Sequence, residues 1–387
     1  MPTSKKWMIS IIVPVLLILC DSHANSTHKT QKIFVANNAI DSETCGTRRE
    51  PCRSISKAIE NASDGATIVV GPGRYGDLNG DGDFDDPGEE AAQVGFGCRC
   101  MVLIDKQIAI RSKAGAEATI LDASGATVDV VNIVADGVFF GDKHAGFTLT
   151  GARMLGDDDG IGLAVITSNR VHVVGNTAED NQANGFELSG DKHAVVNNIA
   201  SRNGSGFGIA FTEYGHRLHG NIAIGNGNTT SRGNGFSLFG NRHRFSGNSA
   251  TGNRGIGVLI NSTDASGFGF WKNSIVGNVG SGIFVFSGPG LALNQNNIFG
   301  NFGERPFFPF TPTPNCGVVN DSGATIDATR NYWGAASGPG EDPADNAGPG
   351  SDCDLNGVTI VEPFARRPLR AHSSHTGGSH GNTREDH

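Results

Sequence analysis

The stretch Asn176-Thr-Ala-Glu-Asp-Asn181 decides how this chain is read, because it comes back five times. It returns as Asn198-Ile-Ala-Ser-Arg-Asn203, Asn221-Ile-Ala-Ile-Gly-Asn226, Asn248-Ser-Ala-Thr-Gly-Asn253, Asn273-Ser-Ile-Val-Gly-Asn278 and Asn296-Asn-Ile-Phe-Gly-Asn301. Successive first asparagines lie 22, 23, 27, 25 and 23 residues apart. A second marker, Gly followed by Phe or Ile, recurs at Gly185-Phe186, Gly206-Phe207, Gly235-Phe236, Gly255-Ile256 and Gly282-Ile283. A period of roughly 20–50 residues means a repeat architecture. Each repeat holds two or three strand-sized pieces of alternating apolar residues, broken by Gly and Asn, with no helical period. A leucine-rich horseshoe needs a Leu scaffold, and a propeller blade needs about twice the length per repeat. Stacked parallel coils remain.

In such coils the inward residues stack on their equivalents about 4.8 Å away. Asn suits the corner because it tolerates a left-handed backbone, and its amide can pair with the amides of adjacent coils. The asparagines are therefore expected to be structural.

The composition agrees. Gly is 56 of 387 residues, interspersed with Val, Ile and Phe as tight turns between short strands require. The 39 acidic residues against 30 Lys and Arg give a net charge of -9, which argues against a nucleic acid or an anionic membrane as partner. An acidic polysaccharide would need a local basic patch.

Residues 1–24 read as an export signal. Lys5 and Lys6 precede the apolar run Met8 to Leu19, and Ser22-His23-Ala24 supplies small residues for cleavage. The expected location is extracellular or periplasmic. Anchoring as a lipoprotein through Cys20 is disfavoured by the bulky Leu19 before it, and no later segment is long and apolar enough to span a bilayer. The mature chain keeps Cys45, Cys52, Cys98, Cys100, Cys316 and Cys353, an even number that favours disulfides in an oxidising compartment. They avoid the repeats. Connectivity is open, with Cys316–Cys353 the natural pair at the C-terminal end.

Two further segments carry a family resemblance. Pro51-Cys-Arg-Ser-Ile-Ser-Lys-Ala-Ile-Glu60 followed by Ala66-Thr-Ile-Val-Val-Gly-Pro-Gly-Arg-Tyr75 resembles the opening of β-helix proteins, an amphipathic helix over the first coil and then the first strand. Asn331-Tyr-Trp-Gly-Ala-Ala-Ser-Gly-Pro-Gly340 is similar to a segment of their last coils. Together with the repeats they resemble the pectate-lyase-like superfamily over residues 32 to 365. The resemblance implies an all-β, right-handed parallel β-helix with a short N-terminal capping helix. The expected layout is a cap and first coils at 32–135, repeated coils at 136–310, C-terminal coils and cap at 311–365, and a disordered His-rich tail at 366–387.

Two clusters stand out as candidate sites. Asp77, Asn79, Asp81, Asp83 and Asp85 put oxygen side chains on alternate residues beside Gly82, as in the first half of a calcium loop. The twelfth position is Gly88 rather than Glu, with Glu89 and Glu90 next, so a calcium loop without an EF-hand is expected, and calcium is the one cofactor inferred. The second cluster is His193, His216 and His243, each five positions before a marker Asn, with His144 as an apparent earlier copy. Lys192 and Arg242 precede two of them, and Arg217 and Arg244 follow two. Glu187, Glu213 and Tyr214 border the column, and Tyr214, Phe239 and Trp271 could act as sugar platforms. The catalytic candidates are accordingly His193, His216, His243, Glu187 and Lys192, since imidazole, carboxylate and amine are the groups of acid–base chemistry. The plainer account is that polar residues before a corner cap the turn.

The function expected is binding or processing of a polysaccharide on the outer face, by a monomer. If the chain is an enzyme, it is a lyase, epimerase or glycoside hydrolase; a carboxylate set for lyase chemistry is not assembled by Asn184, Glu187 or Asp157-Asp158-Asp159. The competing readings are a non-catalytic extracellular binding or structural solenoid and a periplasmic metal or cofactor maturation factor.

Overall fold

The structure, a computed structural model, describes residues 30–81, 84, 86, 89–90, 99–154, 160–210, 213–228, 231, 233–265, 267–303 and 315–370. The export signal and the His-rich tail beyond residue 370 lie outside them. Gln31 onward forms one unit.

Each coil contributes three short strands, because three corners interrupt each period. A representative coil runs His172–Val174, Thr177–Glu179 and Asn184–Leu188, and the next begins at Ala194–Val196. Every strand pairs in parallel with its equivalent one coil away, for example Thr177 with Ile199 and Phe186 with Phe207. Among the described residues this gives three long parallel sheets, of nine, ten and nine strands. The first sheet runs from Cys100–Ile104 to Val318–Asn320, the second from Lys32–Val35 to Leu293–Asn294, and the third from Gly73–Gly76 to Asn297–Phe299. The fold is the expected right-handed parallel β-helix.

Alternation within each strand sends every second side chain into the stack. Phe186, Phe207 and Phe236 from the first sheet pile up with ring centroids 4.9 and 4.7 Å apart. The third sheet answers these with the small Ala178, Ala200 and Ala223, all fully buried. Large against small at equal height keeps the interior filled.

The N-terminal end is covered by the helix Ile55–Glu60, which buries Ile55, Ala58 and Ile59. Ser54 caps it, accepting from the Lys57 N–H, and the buried Glu90 carboxylate accepts from the backbone N–H groups of Ile55 and Ser56 at 2.7 Å each. Burial holds the Glu90 carboxyl above its ordinary range. The strand Thr67–Val70 that follows is not the first: Lys32–Val35 precedes it and pairs with it. Cys45–Cys52 and Cys316–Cys353 are disulfides at the two ends, the second being the pair expected. Cys100 is also disulfide-bonded, and Cys98 lies outside the described residues.

The marker asparagines form two buried ladders. At the corner after the second sheet, Asn198 donates its backbone N–H to Asn221 Oδ1 at 3.0 Å, and Asn221 donates likewise to Asn248 at 2.9 Å. Each side-chain NH2 also reaches a strand carbonyl, as Asn221 does to Val195 at 2.8 Å. Asn181, Asn203, Asn226, Asn253, Asn278 and Asn301 repeat this after the third sheet, where Asp345 ends the series. The left-handed backbone expected at these asparagines sits one residue earlier, at Gly175, Asn197, Gly220, Gly247 and Lys272 in the first ladder. The ladder residue is chosen for its amide, and its predecessor turns the chain.

Candidate functional site

The third corner, between the first and second sheets, carries His193, His216 and His243. They form the expected column, with rings stacked at 4.8 and 4.9 Å. The column is buried: the three residues are 1%, 0% and 0% exposed. Each Nδ1 accepts a backbone N–H from the coil before, Val171 to His193 at 3.1 Å, His193 to His216 at 3.1 Å and His216 to His243 at 3.2 Å. That is the role Asn Oδ1 plays at the other corners. An Nδ1 that accepts leaves the proton on Nε2, which meets the Ser189 carbonyl in His193 and the Phe239 carbonyl in His243. Burial lowers all three histidines from their ordinary value, His193 to about 4 and His216 to about 2, the latter helped by its two imidazole neighbours. Neutral rings at a dry corner serve the backbone. They do not face a ligand on the outer surface.

His144 is not part of this column. It is exposed after the second-sheet strand Phe139–Gly141, and the corner position before His193 belongs to Val171. Glu187 lies on the outer side of the first sheet, held by the Asn184 amide at 2.8 Å. Glu213 is buried and accepts from Ser189 Oγ. Lys192 is exposed at a left-handed corner position. The structure thus separates the candidates into a buried column, a tethered carboxylate and a surface amine.

What the structure does bring together is an outward row on the second sheet. Register places Phe139 beside His172, then Ala194, Arg217, Arg244 and Gly269 in successive coils. Five coil steps of about 4.8 Å make this a track of about 24 Å along the solenoid axis. At one end Phe139, 49% exposed, stacks on His172 at 4.2 Å. Beyond Phe139 the row drops to the small side chains of Ala109 and Thr67. A depression of about 380 Å³ opens there, lined also by Arg111 and Asp142. At the other end the Trp271 ring folds back over Gly269, where a Cβ would meet its Cζ3 at 2.1 Å. Glycine at 269 lets the indole lie across the row. Alongside, Tyr214 is 37% exposed, accepts from Arg242 at 2.7 Å and lies under its guanidinium. Trp271 and Tyr214, expected as platforms, are both 37% exposed. Phe139 and His172 were missed, although the parity of Phe140 and Val173, both inward, puts their neighbours outside.

In the acidic loop, Asp77 is fully buried and accepts from the Gly80 N–H. The Asn79 amide donates to Asp81 and Asp86. Glu89, one place beyond the expected twelfth position, reaches back to the N–H groups of Leu78 at 2.8 Å and Asp86 at 3.3 Å. Asp83 and Asp85 lie outside the described residues.

Residues 119–305, just under half of the chain, match the family described as "Periplasmic copper-binding protein (NosD)". Among the described residues, His, Cys, Asp and Glu side chains form one close group of three or more potential metal ligands. The ladder histidines spend Nδ1 on backbone donors, and the single cluster of potential ligands, Asp41 with Cys45 and Cys52, has both sulfurs in a disulfide. No curated protein matches the sequence. Among solved structures, a rhamnogalacturonan lyase is similar at 12% identity, covering 87% of either chain with a TM-score of 0.49. The pectate lyase Pel9A is similar at 15% identity over 88% of this chain and 80% of its own, with a TM-score of 0.41. The A-module of the Azotobacter vinelandii mannuronan C-5 epimerase AlgE4 is similar at 14% identity over 73% of each chain, with a TM-score of 0.39. No helix of the described residues is long and apolar enough to cross a membrane. The parallel sheets and their corner ladders make this chain a right-handed parallel β-helix repeat protein.

Proposed function

We propose that the protein is an exported polysaccharide-binding solenoid, with the glycan lying along the outward row from Phe139 to Trp271. One observation carries this reading: exposed rings stand at both ends of a regularly spaced track, with His172, Arg217 and Arg244 among the side chains between them. Aromatic faces pack against the apolar faces of sugar rings, and flanking polar groups fix orientation. Binding is favoured over processing, because Glu187 is tethered to Asn184 and the three histidines of the catalytic set are buried in the wall. The export-signal sequence and the end-placed disulfides support an extracellular or periplasmic location. Affinity electrophoresis against a panel of polysaccharides tests the reading. The wild-type protein should be retarded by at least one polymer, and F139A/W271A should lose that retardation; migration unaffected by every polymer would refute it.

The acidic loop is proposed to hold a structural calcium ion. Asp77, Asn79, Asp81, Asp83 and Asp85 are hard oxygen donors of the type calcium takes, and Glu89 already folds back to close the loop. Calorimetry of chelator-treated protein should show calcium binding below millimolar concentration, and a flat titration would remove the proposal.

A further inference from the structure

We infer that the depression beside Phe139 is a slot for one terminal sugar residue, so that the protein takes its glycan by a chain end. The inference rests on the polysaccharide-binding reading and adds which part of the polymer is recognised.

The slot continues an aromatic stack that the chain itself breaks off. Side chains of one outward row follow each other at about 4.8 Å, one per coil. Phe139 and His172 fill two successive places, with centroids 4.2 Å apart and planes 13° from parallel. Rings stacked in this way turn their faces along the solenoid axis and their edges outward. His172 covers one face of Phe139. The other face looks over Ala109, its register partner in the coil before, and then Thr67. Beside them Gly141 and Val174 form a low floor. Gly141 is dictated by the backbone, since its φ is +80° and a Cβ there would meet the Val174 carbonyl at 2.2 Å. No such constraint acts on Ala109, which sits in a regular strand where larger side chains are favoured. Its smallness opens the slot.

The dimensions select the ligand. From Phe139 to Thr67 is two coil steps, about 9–10 Å. A flat ring between two walls takes two contacts of about 3.5–4.0 Å, roughly 7–8 Å in all. The excess of about 2 Å suits the pucker and axial groups of a saturated ring. The lining supplies polar partners as well. Arg111 and Asp142 are exposed and both border the depression, and among the described residues no ion pair joins them. A donor fork and a carboxylate acceptor that do not neutralise each other are matched by hydroxyl groups, which donate and accept at once.

Access fixes the part of the glycan. A ring stacked here has Phe139 against one face, Thr67 beyond the other and the sheet beneath its inner edge. A glycosidic link can leave only outward, and a terminal residue has one link. An interior residue has two, on opposite edges, and the sheet stands where one of them would run. The rest of the chain rises past the edge of Phe139 onto the row toward Trp271.

The test uses the full chain, A109F and R111Q/D142N, titrated calorimetrically with galactan, dextran, xylan and polygalacturonate. Each glycan is supplied both as polymer and as short oligomers of known chain concentration. The wild-type protein should bind at least one of them with one protein per chain, whatever the chain length. A109F fills the slot and should lower that affinity about tenfold or more, as should R111Q/D142N. Borohydride opens the ring at the reducing terminus. Loss of binding after that treatment assigns the slot to the reducing end and retention to the other end, and each agrees with the inference when one protein binds per chain. Stoichiometry rising in proportion to chain length, or A109F binding as tightly as wild type, would overturn it. Binding at many sites per chain sinks the slot alone, whereas failure of every glycan to bind sinks the reading beneath it. An unchanged melting curve certifies each variant as folded, and R111Q/D142N decides the matter if A109F does not fold.

Discussion

His243 and Arg244 are neighbours in sequence, yet they belong to two regions built on opposite principles. His243 stands in a corner ladder where three successive coils repeat the same chemistry, an acceptor for the backbone N–H one coil earlier. Arg244 stands in an outward row where Phe, His, Ala, Arg, Arg and Gly follow one another with no shared chemistry. Repetition in this molecule records what the backbone needs at each corner. Departure from repetition records what the surface was shaped to meet.

The largest effect that would sharpen the contrast comes from the ladders. Asn221→Leu leaves the Asn198 N–H and side-chain amide without their acceptor and the Val195 carbonyl without its donor. Several buried groups lose partners at once, so urea unfolding should show a loss of about 3–5 kcal/mol. A loss below about 1 kcal/mol would mean the ladder is ornamental. In the same assay R217Q/R244Q should leave the midpoint unchanged.

The pH dependence is the next largest. An unfolded histidine takes its proton near its ordinary 6.5, while His193 in the fold resists until about 4. Between those values the unfolded state binds more protons, so stability falls as pH falls, on the order of 1 kcal/mol per pH unit for each ladder histidine. Asp345 has the opposite sign. Burial raises it to about 7 from 3.8, so the folded state holds the extra proton in that window and stability falls as pH rises through it. Asp345→Asn continues the ladder with a neutral amide and should be more stable than wild type at pH 8, with the advantage vanishing near pH 4. Unfolding midpoints across that range check both signs. The smallest effect belongs to Gly269→Ala, whose Cβ has no room beneath Trp271. The ring must leave the row, so glycan affinity should drop severalfold with stability changed by less than about 1 kcal/mol; unaltered affinity would show that the indole takes no part.

Much of the fold was legible because a repeat states its own period, and the Asn and Gly-Phe markers located the corners and the inward stack of the central coils, although the sheets extend to nine and ten strands. The cysteines announced which ends they would lock. Burial of the histidines was legible in principle: Val195, Leu218 and Phe245 face inward, and two residues back along a strand is the same side. Judging His193 by its charge type rather than by that parity put it outside. His144 misled through a copied Gly-Asp-Lys-His string that falls at a different corner. The Trp271 ring over Gly269 follows from a side-chain rotamer, and its trace in sequence is only a glycine two residues before an aromatic on one face.

The three ladders share a direction. In every pair the donor belongs to the earlier coil and the acceptor to the later one, starting from the plain N–H groups of Phe147, Ala152 and Val171. A chain made N-terminus first thus always carries a leading coil whose corner amides wait for a side chain not yet present. Each new turn completes its predecessor and leaves its own corners open in the same way. Growth of the stack is in this sense vectorial, and it closes only when Asn331 and Asp345 supply the last acceptors of the two asparagine series.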